Sequence, residues 1–176
     1  MSETFLYFAY GSNMLAKRIH YKNPTAVQKY IGKLKDHRLD FNLFTKRWEG
    51  CVATIVPTPG CEVWGVVWEI DISSSAALDE QEGVHDNIYF SKTVDIETST
   101  GETISCKVYQ QCQVPENYIE PSQLPPERQP SFVYHNIILT GAQDHGIPEE
   151  YIKYIKSFPH NGYAGETQVD LSLTEK

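Results

Sequence analysis

The stretch Tyr7-Phe8-Ala9-Tyr10-Gly11-Ser12-Asn13 constrains this chain more than any other. A short apolar strand pattern runs straight into a Gly-Ser-Asn turn, and a helical pattern follows from about Met14. Gly11 lets backbone come close to a ligand, while Ser12 and Asn13 suit turns and helix N-caps. Free N–H groups of the first helical turn would face whatever sits in the loop, which suits a carboxylate or an oxyanion. The same residues also serve ordinary strand-to-helix connections, so the loop alone does not specify a site.

With 176 residues the chain is long enough to bury a core without disulfide or metal staples, and it reads as one domain over 1–176. Its 40% hydrophobic and 22% charged content fits a folded globular protein rather than a disordered one. Fifteen basic against twenty-three acidic residues leave a formal charge of −8, and no basic cluster is denser than Lys33-Lys35-His37-Arg38. A nucleic-acid partner is therefore excluded, whereas a small anion can still be held by the local field of a backbone-lined pocket. Cys51, Cys61, Cys106 and Cys112 form no C-x-x-C and no zinc pattern with histidines, so reduced thiols and no metal are expected. Phe5 to Tyr10 is too short to cross a bilayer and no secretory leader precedes it, which predicts a cytoplasmic protein without membrane attachment.

Apolar alternation predicts strands at about 4–10, 28–44 with a turn near Lys35-Asp36, 51–56, 62–70, 88–97 and 103–112. Thr98-Ser99-Thr100-Gly101-Glu102 reads as a hairpin turn, and Pro57-Thr58-Pro59-Gly60 as a turn between strands. Helices are expected at about 14–21, 73–81, 131–144 and 148–157, the second beginning in Ser73-Ser74-Ser75. Strands and helices do not alternate, which points to an α+β fold with a mixed, curved or barrel-like sheet and flanking helices. The proline-rich segment 114–130 is a long loop placed either to cover a site or to cross solvent. Periodicity fades after Pro159, and a loosely attached tail is expected from about 166.

A second motif, Leu78-Asp79-Glu80-Gln81-Glu82-Gly83-Val84, closes the predicted 73–81 helix. Three carboxylates at a helix C-terminus oppose the macrodipole and repel one another. A broken local rule of this kind marks a candidate site. Both influences would raise the pKa of an acid turned into a pocket, toward the range of a general base near neutral pH. Glu82, next to Gly83, is best placed; Asp79 and Glu80 more naturally face solvent or cap structure, although spacing alone does not exclude them. Trp64 and Trp68 share one strand face and read as core, and the six scattered histidines read as surface or packing residues.

Phe8-Ala9-Tyr10-Gly11-Ser12-Asn13-Met14, Val63-Trp64-Gly65-Val66-Val67-Trp68, the Leu78–Val84 string, and Tyr134 ahead of Ile137-Ile138-Leu139-Thr140-Gly141-Ala142 together resemble the γ-glutamylcyclotransferase family, from about residue 4 to 157. The resemblance implies conversion of a γ-glutamyl amino acid to 5-oxoproline and a free amino acid. It further implies Glu82 as general base and acid, with Tyr7, Phe8, Ala9, Tyr10, Gly11, Ser12 and Tyr134 at the substrate. A homodimer is implied as well. Sister activities on glutathione or on γ-glutamyl-ε-lysine, and a catalytically silent binding protein, are the alternatives. The chemistry fits the residues: the substrate's own α-amine is the nucleophile, so no nucleophilic side chain, metal or cofactor is needed. Loop N–H groups would hold either the substrate carboxylate or the developing oxyanion.

Overall fold

A computed structural model describes residues 3–115 and 117–167. Its five strands are β1 (Thr4–Ala9), β2 (Val27–Thr45), β3 (Gly50–Asp71), β4 (Tyr89–Thr98) and β5 (Thr103–Gln111). They close into a barrel in the order β1-β3-β2-β4-β5. Pairing is antiparallel except where β1 meets β5 in parallel at Tyr7 and Lys107, so the sheet is mixed as expected. Four helices flank it: α1 (Ala16–Lys22), α2 (Ser75–Gln81), α3 (Phe132–Asp144) and α4 (Glu149–Lys156). None of the described helices is long and apolar enough to cross a membrane. The expected tail lies, beyond Thr167, outside the described residues.

Six predicted strands become five because two turn-like sequences sit opposite each other inside one long strand pair. Val56 and Pro57 pair with Arg38 and His37, and beyond the excursion Glu62 still pairs with Lys35. Pro57-Thr58-Pro59-Gly60 is thus a bulge within β3, not a link between strands. The turn expected at Lys35-Asp36 is the matching irregularity of β2, where Asp36 adopts φ 59° and its carboxylate accepts from the Gly60 N–H at 3.0 Å. Such bulges bend long strands enough to close a small barrel. The Thr98–Glu102 turn forms as expected, with Thr98 N–H donating to the Glu102 carbonyl at 2.7 Å.

The helix expected at 14–21 is broken. Ser12–Met14 form a 3-10 turn, Leu15 is extended, and α1 begins only at Ala16. The cause is packing: a Cβ on Gly141 of α3 would lie 2.7 Å from the Leu15 nitrogen and 2.8 Å from the Met14 carbonyl carbon, so the loop rests directly on α3. The N–H groups of Met14 and Leu15 close back onto the Gly11 and Ser12 carbonyls at 3.1 Å, which removes them from the donors expected to face a ligand. Trp68 pins the loop by donating its indole N–H to the Asn13 carbonyl at 3.0 Å. Trp68 is buried as expected, and the side chains of Phe8, Phe41, Ile55, Ile70 and Ile138 are fully enclosed in one core shared by barrel and helices. Each contributes roughly 1.5–3 kcal/mol through burial.

Candidate active site

Glu82 caps the C-terminus of α2, and Gly83 follows in the left-handed region at φ 67°, where a side chain would be strained. Fully buried Leu78 anchors the helix, and the Glu82 N–H donates to the Leu78 carbonyl at 3.1 Å. This geometry turns the Glu82 carboxyl into the molecule. It faces a narrow recess of about 40 Å³ lined by Tyr7, Tyr10, Gly11, Ser12, Asn13, Ala53, Tyr89, Tyr109 and Tyr134. A wider cavity of about 310 Å³ shares Ser12, Glu82, Tyr89 and Tyr134 with that recess and continues past Arg18, Thr45, Arg47 and Trp48.

Burial pushes the Glu82 carboxyl up to about 7, against the opposing charges of Arg18 and Arg47. The neighbouring acids expected to raise it are not the cause. Asp79 is turned away, accepting from Lys107 Nζ at 2.7 Å and from the Tyr109 hydroxyl. Burial disfavours the ionised form of Asp79, but those two hydrogen bonds outweigh it and hold the carboxyl below its usual range. Glu80 is exposed at the rim. Of the three carboxylates, only Glu82 combines an interior position with a pKa suited to proton exchange near pH 7.

Asn13 bridges the two motifs: its Nδ2 donates to Glu82 Oε1 at 3.4 Å and to the Tyr7 hydroxyl at 3.2 Å. The Tyr10 hydroxyl donates to the Tyr109 carbonyl at 2.6 Å. Tyr134 sits on α3, whose N-cap Ser131 accepts from the Tyr134 N–H at 3.1 Å. Its hydroxyl accepts from the Ala53 N–H at 2.9 Å, which leaves its own proton to donate into the recess. Tyr89 binds the same residue through the next peptide group, donating to the Ala53 carbonyl at 2.6 Å. Burial raises the pKa of Tyr7, Tyr10, Tyr89 and Tyr134, so all four remain protonated hydrogen-bond donors.

Tyr7, Tyr10, Gly11, Ser12, Tyr134 and Glu82 come together around the recess, although Tyr134 lies 52 residues beyond Glu82 in the chain. Phe8 and Ala9 line neither cavity. Both are buried in the wall of β1, where Phe8 projects to the strand face opposite Tyr7 and packs toward Gly65. The described residues of the proline-rich segment 114–130 line neither cavity, because Arg128 ties the segment elsewhere, to the Phe41 carbonyl at 2.7 Å and to Asp40 at 2.8 Å. Arg18, Arg47, Tyr89 and Tyr109 lie outside the residues selected from sequence. Only Arg18 carried a local signal: it shares the buried stripe of Leu15 and Ile19, an unusual place for a guanidinium.

Comparison with known proteins accords with this geometry. The AIG2-like family model matches residues 62–155, the segment that carries Glu82 and Tyr134. A protein named gamma-glutamylcyclotransferase from Mus musculus is 42% identical over 93% of this chain and 84% of its own length. The protein of that name from Homo sapiens is 40% identical, over 96% of this chain and 86% of its own. A solved structure described as a gamma-glutamyl cyclotransferase superposes with a TM-score of 0.85 at 38% identity, over 97% of this chain and 96% of that one. The chain therefore belongs to the γ-glutamylcyclotransferase family.

Proposed function

We propose that this protein converts γ-glutamyl amino acids to 5-oxoproline and the free amino acid, with Glu82 as general base and then general acid. The observation that carries this reading is a buried carboxyl with a pKa of about 7, facing a recess bounded by the Tyr10–Asn13 loop and Tyr134. An α-amine ordinarily titrates near ~7.7–8, so a base near 7 is well matched to accept its proton. The freed amine attacks the γ-carbonyl carbon, a five-membered ring closes, and the bond from that carbon to the leaving nitrogen breaks. Two protons leave the attacking nitrogen and two reach the departing one, so Glu82 returns what it takes and ends the cycle unchanged.

Holding amine and carbonyl together makes the step unimolecular, which accounts for much of the acceleration. Tyr134 donates to the oxyanion that develops on the γ-carbonyl oxygen, assisted by backbone N–H groups around Gly11 and Ser12. Tyr7, Tyr10 and Asn13 hold the γ-glutamyl portion and keep Glu82 oriented. One hydrophobic core joining barrel and helices supports treatment of the chain as a single domain. A cytoplasmic location is supported by the free thiols Cys51, Cys61, Cys106 and Cys112, as a reducing compartment keeps them. A homodimer rests on the family resemblance alone.

The test is to incubate purified protein with γ-glutamyl-alanine, glutathione and γ-glutamyl-ε-lysine and to measure 5-oxoproline from each. Release from γ-glutamyl-alanine well above the other two is expected. Preferential release from either of the others transfers the reading to that sister activity, and release from none overturns it in favour of a silent binding protein.

A further inference from the structure

The wider cavity holds a guanidinium that the cyclisation step does not use. Arg18 is only 7% exposed, and its Nε is buried without a hydrogen-bond partner among the described residues. With the Gln81 side-chain amide turned so that its oxygen faces Arg18, Nη1 and Nη2 both donate to that oxygen at 3.0 Å, a neutral acceptor, and among the described residues Arg18 forms no ion pair. Thr45, on the wall of the same cavity, likewise has a buried hydroxyl with no partner among the described residues. Arg47 completes the group from the turn between β2 and β3, and the Trp48 ring, its centroid 5.8 Å from the Arg18 guanidinium carbon, walls it in place. The Arg18 Nε and the Thr45 hydroxyl are thus buried without an acceptor on one wall, and the Arg18 charge, faced by Glu82 at longer range, meets only a neutral amide at hydrogen-bond distance.

We propose that Arg18, Arg47 and Thr45 form the subsite for the free α-carboxylate of the leaving amino acid. The inference rests on the cyclotransferase reading of Glu82. It follows from where the two cavities meet: Glu82, Ser12 and Tyr134 belong to both, whereas Arg18, Thr45 and Arg47 belong to the wider one alone. With the scissile amide at Glu82 and the γ-glutamyl portion in the recess, the leaving residue extends toward the two guanidinium groups. A carboxylate there meets the guanidinium groups of Arg18 and Arg47, whose fork of donors suits its two oxygens. Exposed Glu80 and Asp86 also line this cavity; solvent and salt screen them as they screen exposed Arg47, so buried Arg18 carries the larger share of the attraction. The subsite makes a γ-glutamyl dipeptide preferable to a tripeptide, whose terminal carboxylate lies about 3.6 Å farther along the chain.

The test compares γ-glutamyl-alanine with γ-glutamyl-ethylamide, which has hydrogen in place of the alanine carboxylate. The ratio of kcat/KM for the two substrates, taken on one preparation, is independent of the fraction of enzyme that is folded. The wild type is expected to favour γ-glutamyl-alanine at least about tenfold, the scale of a hydrogen bond to a charged group. Arg18→Gln and Arg47→Gln should each lower that ratio several-fold, mainly through KM for γ-glutamyl-alanine. Should Arg18→Gln be too unstable to assay, exposed Arg47 decides the matter. A wild type without preference, or a ratio unchanged in the assayable variants, overturns the subsite while leaving cyclisation intact. Failure of the wild type to release 5-oxoproline from either substrate overturns the cyclotransferase reading itself, and the subsite falls with it.

Discussion

Replacing Glu82 by Gln tests the electrostatics of the site separately from catalysis. In the folded protein, burial raises the carboxyl from 4.5 to about 7. The folded state therefore binds this proton more tightly than the unfolded chain does. The sign follows from linkage: the group's contribution is fully present below the unfolded pKa and is lost as pH rises through the folded one. Wild-type stability should decline on this account between about pH 4.5 and 7. At 1.36 kcal/mol per pKa unit the shift corresponds to roughly 3 kcal/mol. Gln resembles the protonated acid in shape, can still accept from Asn13, and does not titrate. The measurement is urea unfolding of both proteins at half-unit steps from pH 4 to 9. The difference between the two curves cancels the titration of every other group. It should move in favour of the variant by most of that amount as pH rises from about 4.5 to 7, and level off above the folded pKa. Parallel curves across the range would refute burial as the force acting on Glu82.

Tyr134→Phe removes both a donor into the recess and the acceptor of the Ala53 N–H, so kcat/KM for γ-glutamyl-alanine should fall by about 1–3 kcal/mol in transition-state stabilisation. Unfolding should become easier by a similar amount because a buried N–H loses its partner; full kcat/KM alongside lowered stability would assign Tyr134 to the fold alone. Gly11→Ala introduces a methyl 3.5 Å from Ala53 Cβ and 3.6 Å from the Tyr134 hydroxyl, ordinary contact distances, so the fold should persist while the recess shrinks. Calorimetry with 5-oxoproline should give about tenfold weaker binding, ~1.4 kcal/mol, and unchanged affinity would make the loop a structural element only.

What could be read from sequence was set by the range of the forces involved. The Thr98–Glu102 hairpin and the Glu82-Gly83 helix end depend on residues within a few positions of one another, and each formed as its local chemistry dictates. Asp36 and Pro57–Gly60 carry equally strong turn chemistry, yet barrel closure keeps both within β2 and β3, so pairing at long range overrode local preference. The break at Leu15 comes from Gly141, more than a hundred residues away. Glu82 was recognisable from an acidic helix end, but the force that raises its pKa is burial beneath β-barrel tyrosines, which local charge spacing does not encode. Tyr89 and Tyr109 reach the recess only because β4 and β5 complete the barrel, and nothing beside them in the chain marks them out. Phe8 and Ala9 share the loop's sequence signature while packing into the wall of β1; Phe8 does so because neighbours on a strand project to opposite faces, which turns it away from Tyr7.

The most direct test of Glu82-driven cyclisation is the release of 5-oxoproline from γ-glutamyl-alanine by the wild type and by Glu82→Gln, followed by chromatography at pH 8. Wild-type protein should yield 5-oxoproline and alanine in equal amounts. The variant, folded and still binding 5-oxoproline, should be slower by ~10²–10⁴-fold, the usual contribution of a positioned acid–base group. A variant within a few-fold of the wild-type rate would contradict the assignment of Glu82 as the group that moves the protons.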